Sequence, residues 1–199
     1  TANDNANVTL AIGASPVMAL SKVEVEEMAA HADSLVLNLG ILNPDVIESC
    51  RLAGKVANQK RIPVILDPVG AGATQYRTNS AKEILSEIKI AIIRGNAGEI
   101  SALLGEPRLI QGVDAVSTNL SISDLAREAS RRYGTIVAVT GKVDFISNGI
   151  HLISVFNGHP WLTFLTGTGC MVSSLCATFA SVEEDHLIST TAAIGFFGV

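Results

Sequence analysis

Short strand-like runs alternate with longer helix-like segments along this chain, and this alternation limits the folds open to it. Four runs are rich in Val, Ile and Leu and show little apolar–polar alternation: SLVLNLG, IPVILDP, KIAIIRGN and TIVAVTG. Such runs are typical of strands covered on both faces, as in a parallel sheet. Segments with helical spacing lie between them, and we predict helices over 18–32, 44–58, 79–88, 97–104 and 121–133. The alternation predicts an α/β fold with right-handed crossovers.

The pattern changes after the fourth run. The stretch VDFIS is followed by Asn148-Gly149 and then by IHLISVF, which predicts a β-hairpin. Asn-Gly favours a type I′ turn because both residues tolerate a positive φ. We therefore expect a mostly parallel central sheet with an antiparallel hairpin near one edge.

Composition narrows the classes of partner. The formal net charge is -5, which gives no global basic field, so we expect neither nucleic acid nor an anionic membrane as a partner. No apolar run approaches the roughly 20 residues of a membrane-spanning helix. The three cysteines are odd in number and lack CxxC spacing, which disfavours a disulfide framework or a zinc site and favours the cytoplasm.

Polar side chains follow each predicted strand at the point where the strand ends. In open α/β sheets, ligands bind outside the carboxyl ends of the strands, so we expect these side chains to share one rim. Glycines in the same loops would let a ligand approach the backbone closely. The pattern predicts a phosphate-transfer site assembled from loops. Its polar members are Asn38, Asp67, Arg94, Asn96, Glu99 and Thr140.

Each of these residues also has a purely structural interpretation. Asp67 before a proline could form a turn, and Thr140 could be a strand-end hydroxyl without a role. Asn96 and Glu99 have the spacing of a capping box at the start of a helix. Taken singly, none of these residues establishes a site, and only their joint occurrence at successive strand ends favours one.

The stretch TGTGC, which runs into an apolar helical segment, adds an anion site to this rim. Gly167 and Gly169 allow close approach of a ligand, and the first amides of the following helix have no partner within the helix. Together with the helix dipole, these amides favour a negatively charged group. Cys170 would stand beside the group that accepts the phosphoryl group. The same dipole predicts that its thiolate is favoured.

Six stretches of the chain form a specific combination of motifs: GASPVM (13–18), LDPVGAGAT (66–74), IRGNAGEI (93–100), GVDA (112–115), VTGKVD (139–144) and TGTGC (166–170). With these motifs the chain resembles the hydroxyethylthiazole kinases, a thiamin-salvage family of the ribokinase-like superfamily. Sister kinases usually carry aspartate where Cys170 stands. The resemblance implies a ribokinase-like α/β/α architecture of three layers and one kinase domain over 1–199, which we expect to be incomplete at both ends.

The resemblance also implies a reaction and a role for each matching residue. The reaction would be ATP-dependent phosphorylation of the hydroxyethyl arm of 4-methyl-5-(2-hydroxyethyl)thiazole, with Mg²⁺ as the metal. Cys170 would sit at the base position, with Met18 at the thiazole and Gly167 at the alcohol. Arg94 and Thr140 would bind the ATP phosphates, whereas Asp67 and Glu99 would handle magnesium and the triphosphate.

Further expectations come from the same resemblance. Members of the family are typically trimers whose thiazole site lies between neighbouring subunits, and fungal members are fused to a thiamin-phosphate synthase domain. Two alternatives stay open on the sequence. One is another ATP-using enzyme of the same architecture, such as a hydroxymethylpyrimidine kinase or an ATP-dependent hydrate dehydratase. The other is a non-catalytic binding module of the thiamin pathway.

Overall fold

Six strands form one sheet whose spatial order follows their order in the chain. A computed structural model describes residues 2–105 and 121–198. The motif at 112–115 therefore lies outside the described residues. The strands are β1 (Leu35–Asn38), β2 (Val64–Asp67), β3 (Ile92–Asn96), β4 (Ile136–Thr140), β5 (Asp144–Ser147) and β6 (Leu152–Val155). Strands β1 to β4 are parallel to one another, whereas β5 pairs antiparallel with both β4 and β6. This is the mostly parallel sheet with an antiparallel hairpin that the sequence predicts.

Eight α-helices are described around the sheet, and they cover both of its faces. They are α1 (Ala2–Ala11), α2 (Val25–Ala30), α3 (Pro44–Lys60), α4 (Gln75–Glu87), α5 (Ala97–Leu104), α6 (Ile122–Tyr133), α7 (Thr168–Ala180) and α8 (His186–Phe197). None of the helices in the described part of the chain combines the length and the apolar character needed to cross a bilayer.

Two apolar cores lie on opposite faces of the sheet, because successive side chains of a strand point to opposite sides. In β2, Val64 and Leu66 pack in one core with α3, α4, α5 and α6. Ile65 packs in the other core, with α7, α8 and the apolar side of α1. All three side chains are at most 1% exposed. The predicted three-layer α/β/α arrangement is confirmed.

The predicted hairpin forms the edge of the sheet, but its turn is not of type I′. That type needs a positive φ at both central residues. Gly149 has φ 87°, whereas the only described non-glycine residue with a positive φ is Arg61. The side-chain oxygen of Asn148 instead accepts the amides of Ile150 and His151, at 3.0 and 2.7 Å. This local capping by the asparagine side chain stabilises a longer connection than the one predicted.

The helix predicted over 18–32 is much shorter than its apolar spacing indicates. Only Val25–Ala30 is helical, and the preceding segment from Ala14 to Leu20 has no regular structure. Val25 and Ala29 are buried against α3, where Ala53 lies, while Leu20 and Val23 are 67% and 91% exposed. Tertiary packing therefore stabilises a helix of six residues, and these two larger apolar side chains before it are left at the surface.

The carboxyl ends of β1 to β4 lie side by side. Asn38 pairs with Asp67 across β1 and β2, and Asn96 pairs with Thr140 across β3 and β4. The polar residues that follow the apolar runs in the sequence are thus neighbours on a single rim of the sheet, where loops can form a site.

Candidate active site

Asp67 lies at the centre of a hydrogen-bonded cluster at this rim. It is the last residue of β2 and is fully buried. Its Oδ2 accepts hydrogen bonds from Asn38 Nδ2 at 2.8 Å and from Ser173 Oγ at 2.9 Å. Its Oδ1 has no hydrogen-bond partner and lies 3.9 Å from Arg94 Nη1. One carboxylate oxygen is thus fixed, and the other is open toward the cation.

Arg94 and Thr140 form a second pair in the same cluster. Arg94 lies within β3 and its side chain is 12% exposed. Its Nη2 donates to Thr140 Oγ1 at 2.5 Å, at the end of β4. Its Nε is buried and has no hydrogen-bond partner. The guanidinium is oriented by its neighbours but keeps donor capacity for an anionic ligand.

Glu99 joins two loops of the rim through backbone amides. Its Oε2 accepts from Asn96 N at 2.9 Å, and the Asn96 side chain accepts from Glu99 N at 2.9 Å, so the predicted capping box at the start of α5 is confirmed. Its Oε1 accepts from Gly70 N at 2.8 Å, in the loop after β2. The structural interpretation of this motif therefore holds, and the carboxylate also connects the loops after β2 and β3.

The start of α7 has the open amides that the glycine-rich turn predicts. Gly167 precedes the helix with φ 93°, a conformation that favours glycine, and provides no side-chain cap. A Cβ at Gly169 would collide with the guanidinium of Arg94, approaching Nη2 to 2.9 Å and Nη1 more closely still. The residue must be small for Arg94 to lie against the helix. The helix start and the cation together make a site for an anionic group.

Cys170 lies in the first turn of α7, and its sulfur accepts a hydrogen bond from Asn38 Nδ2 at 3.2 Å. Burial raises the pKa of this thiol, and the negative charge of Asp67 raises it further. The prediction that the thiolate is favoured is therefore wrong for this structure. Partial burial and the neighbouring carboxylate both favour the neutral thiol over the thiolate.

The carboxyl groups of the site are also shifted. Burial raises the pKa of Asp67, although the charge of Arg94 and the hydrogen bonds that it accepts act in the opposite direction. Burial likewise raises the pKa of Glu99, against the two backbone amides that favour its charged form. Desolvation disfavours the charged form of a buried carboxyl group. A cation bound in this pocket would therefore stabilise the carboxylates of Asp67 and Glu99.

The donor set fits magnesium only as an ion shared with phosphates. No cluster of three or more His, Cys, Asp or Glu side chains suited to a metal occurs in residues 2–105 and 121–198. Mg²⁺ commonly takes one or two carboxylates together with substrate phosphates and waters. Asp67 Oδ1 is buried without a hydrogen-bond partner and suits that role. Both oxygens of Glu99 already accept backbone amides, so contact through water suits it better.

Met18 does not belong to the hydrogen-bonded cluster. It lies in the irregular segment between α1 and α2, and its side chain is 49% exposed. The structure thus joins Asp67, Arg94, Thr140, Glu99 and Cys170 at one rim, with Gly167 at the helix start beside them, while Met18 is on a separate, exposed segment.

Two contributors to the rim were not predicted from the sequence as site residues. Asn38 was predicted as a polar member of the rim, but its contacts with Asp67 and Cys170 were not. Ser173 lies three residues after Cys170, on the same side of the helix, which is the one signal that could have found it. Arg77 follows the glycine-rich loop after β2, in the first turn of α4, and it donates to the carbonyls of Leu39 at 2.8 Å and Val69 at 2.9 Å. It holds the loops after β1 and β2 together.

Comparisons with known proteins point to one family. The model of the "Hydroxyethylthiazole kinase family" matches residues 1–199. A hydroxyethylthiazole kinase of Moorella thermoacetica is 51% identical over 197 residues, which cover 99% of this chain and 74% of that protein. The solved hydroxyethylthiazole kinase of Pyrococcus horikoshii is 44% identical with a TM-score of 0.89, and the match covers 98% of this chain and 73% of that chain.

A more distant structure shares the fold alone. A ribokinase-like superfamily protein of Enterococcus faecalis has a TM-score of 0.67 at 12% identity, over 88% of this chain and 57% of that chain. The ribokinase-like architecture expected from the sequence is confirmed.

Proposed function

Because the chain belongs to the hydroxyethylthiazole kinase family, we propose that it transfers a phosphoryl group from ATP to 4-methyl-5-(2-hydroxyethyl)thiazole. The accepting group is the hydroxyl of the hydroxyethyl arm, and the product is the thiazole phosphate used to make thiamin phosphate. The convergence of Asp67, Arg94 and Cys170 at the start of α7 is the observation that carries this proposal.

The triphosphate is bound by the start of α7 together with Arg94 and Thr140. Phosphoryl transfer needs positioning and stabilisation of negative charge more than it needs covalent chemistry. The open amides after Gly167 are fixed donors, and Arg94 adds a cation whose Nε is free of hydrogen bonds. Thr140 keeps the guanidinium in place. These groups would meet the charge that develops on the transferred phosphoryl group.

Cys170 sits at the base position and orients the alcohol. Its raised pKa makes it a neutral thiol in the free protein, so its role is to accept the hydroxyl hydrogen bond and orient the oxygen toward the phosphorus. As the new P–O bond forms and ADP leaves, the hydroxyl proton passes to a phosphate oxygen or to solvent. Gly167 lets the alcohol approach the backbone, and Met18 supplies apolar contact to the thiazole ring.

Magnesium would be held by the ATP phosphates with Asp67, and by Glu99 through water. When bound, it supplies positive charge that neutralises the phosphate oxygens. The residues of the chain then have three tasks. Asp67 presents its open oxygen, Glu99 keeps the loops after β2 and β3 together, and Arg94 balances the buried carboxylate.

We further propose that the chain assembles as a homotrimer with thiazole sites between subunits. The segment that carries Met18 exposes Val17, Leu20 and Val23 at 64, 67 and 91%. Apolar side chains grouped in this way suit burial against a neighbouring copy. Light scattering on the purified protein would give three times the chain mass of 20.8 kDa, whereas a single chain mass would contradict the assembly.

A cytoplasmic location agrees with three unpaired cysteines.

A coupled assay tests the function directly. The protein is incubated with magnesium-ATP and the thiazole alcohol, and ADP and the thiazole phosphate are followed by liquid chromatography with mass detection. We expect both products to form in equal amounts. Reactions without the alcohol, or with hydroxymethylpyrimidine in its place, are the controls. ADP formation that needs hydroxymethylpyrimidine instead would identify the alternative kinase, and thermal stabilisation by ATP without turnover would identify a binding module.

A further inference from the structure

The side chain of Asn38 is hydrogen-bonded to two residues of the rim, Asp67 and Cys170, and among the described hydrogen bonds no other polar side chain contacts both. Asn38 ends β1 and lies beside Asp67, its neighbour in the parallel pair. Its Nδ2 donates both to Asp67 Oδ2 at 2.8 Å and to Cys170 Sγ at 3.2 Å. One amide group therefore bridges the end of β2 and the start of α7, which are far apart in the sequence.

The orientation of this amide is fixed at its other end. Asn38 Oδ1 accepts from Gly40 N at 2.9 Å. Turning the amide over would place Oδ1 against the Asp67 carboxylate and Nδ2 against the Gly40 amide, which are two unfavourable pairs. A Cβ at residue 40 would lie 2.8 Å from Asn38 Oδ1, so glycine there leaves room for this arrangement. The chemistry of the partners specifies which side of the amide donates.

From these contacts we propose that Asn38 is a positioning residue that holds the Cys170 thiol and the Asp67 carboxylate in a single arrangement for phosphoryl transfer. This inference rests on the proposed kinase function. A sulfur is a weak acceptor, so a donor fixed on both sides restricts where the thiol can lie. Asp67 has a further donor in Ser173, which holds the same oxygen without contacting Cys170 in any described hydrogen bond.

Loss of this bridge should affect the chemical step more than nucleotide binding. Arg94, Thr140 and the amides of α7 hold the phosphates in the proposed function, and none of them is hydrogen-bonded to the Asn38 side chain. Small misplacements in a reacting arrangement can cost up to about 100-fold in rate. We expect Asn38→Ala to lower kcat about 10-fold and to change the KM for ATP by less than about twofold.

Two companion variants separate positioning from general loss of structure. Ser173→Ala removes a donor to Asp67 and leaves the Asn38–Cys170 contact in place, so we expect a smaller loss of kcat than for Asn38→Ala. Asn79→Ala changes an exposed asparagine on α4 and should match the wild type. Thermal melting of every variant shows that the rates are compared between folded proteins. If Asn38→Ala does not fold, Asn38→Ser, which is polar but too short to reach both partners, takes its place.

A double-mutant cycle with Cys170→Ala tests the bridge itself. If Asn38 acts partly through the thiol, its removal should cost at least about threefold less in the Cys170→Ala background than in the wild type. Equal losses in the two backgrounds, a kcat within twofold of the wild type, or a loss no larger than that of Ser173→Ala would each overturn the proposal. The wild-type reaction in the same assay is the reference, because its failure would overturn the kinase function and this inference together.

Discussion

Gly169 shows how one residue in the first turn of α7 permits the geometry of the site. Arg94 lies against the backbone at this position, where a Cβ would come within 3.0 Å of its Cζ. Such a contact lies inside the normal packing distance of carbon atoms, so the guanidinium would have to move. A move would carry it away from Thr140 and from Asp67, its partners at 2.5 and 3.9 Å.

The substitution Gly169→Ala should therefore weaken nucleotide binding. We expect the KM for ATP to rise about 10-fold because a displaced Arg94 no longer meets the phosphates. Gly195→Ala is the matched control, since a Cβ in that part of α8 would meet no atom within 4 Å. It should keep full activity and stabilise the protein by up to about 1 kcal/mol. Unchanged ATP kinetics in the first variant would show that Arg94 does not depend on this glycine.

The ionisation of Cys170 can be measured by its alkylation. Because burial and Asp67 raise its pKa above the ordinary value of 9.0, the rate of reaction with iodoacetamide should still be rising above pH 9. Cys50 and Cys176 are buried, with pKa values raised to about 11 and about 12, and should react more slowly in the folded protein. Peptide mass spectrometry assigns the labelled residue, with Cys170→Ala as the control. A rate that levels off near pH 7 would instead indicate a stabilised thiolate.

At the scale of elements, the start of α5 links helix stability to the site. Asn96 caps the helix, and the carboxylate of Glu99 accepts amides from both Asn96 and Gly70. The helix start therefore also sets the position of the loop after β2. The cap of α6 is built in a similar way, with Ser121 Oγ accepting from Asp124 N at 3.1 Å, but it has no described contact with the cluster.

These two caps give a matched pair of substitutions. Asn96→Ala and Ser121→Ala should each lower the free energy of unfolding by about 0.5–2 kcal/mol, because each leaves a helix amide without its acceptor. Only Asn96→Ala should also lower kcat, since it loosens Glu99. Urea unfolding and the ADP assay measure the two quantities. Equal activity in both variants would limit the Asn96 cap to a structural role.

At the scale of the whole molecule, the candidate site and a cluster of surface ion pairs lie in different places. The site is at the rim of the sheet, whereas the ion pairs join α3 and α4, which cover one face of the sheet. Arg51 on α3 pairs with Glu87 at 2.6 Å and Glu83 at 3.4 Å, both on α4. Hydrogen bonds to Arg51 lower the pKa of Glu87. These are surface groups, so their contribution is screened by salt.

The sign of the shift sets the pH dependence. A carboxyl group with a lowered pKa in the folded state stabilises the protein above its ordinary pKa, here 4.5, and this contribution disappears as the pH falls through the lowered value. Arg51→Gln should therefore lower the melting temperature at pH 7 and low salt, by a difference that shrinks as the pH falls below 4.5, and it should leave turnover unchanged. A difference from the wild type that stays constant as the pH falls would mean that Arg51 acts through packing instead.

The sequence by itself determined the alternation of strands and helices along the chain and most of the polar residues of the rim. Apolar runs are local signals, and parallel strands bring their carboxyl ends to the same edge, so Asp67, Arg94 and Thr140 could be placed together in advance. The capping box at Asn96 and Glu99 was equally readable, because its spacing lies within one helical turn.

Only the tertiary structure decided how these groups are connected and charged. Asn38 reaches across 132 residues to Cys170, and Ser173 reaches across 106 to Asp67. The thiol is neutral because of burial beside a carboxylate, which no local pattern around residue 170 records. The segment before α2 is not helical although its apolar spacing predicts a helix, because tertiary packing buries Val25 and Ala29 of α2 against α3. Burial and long-range contacts arise only when distant parts of the chain pack together, so local sequence patterns do not determine them.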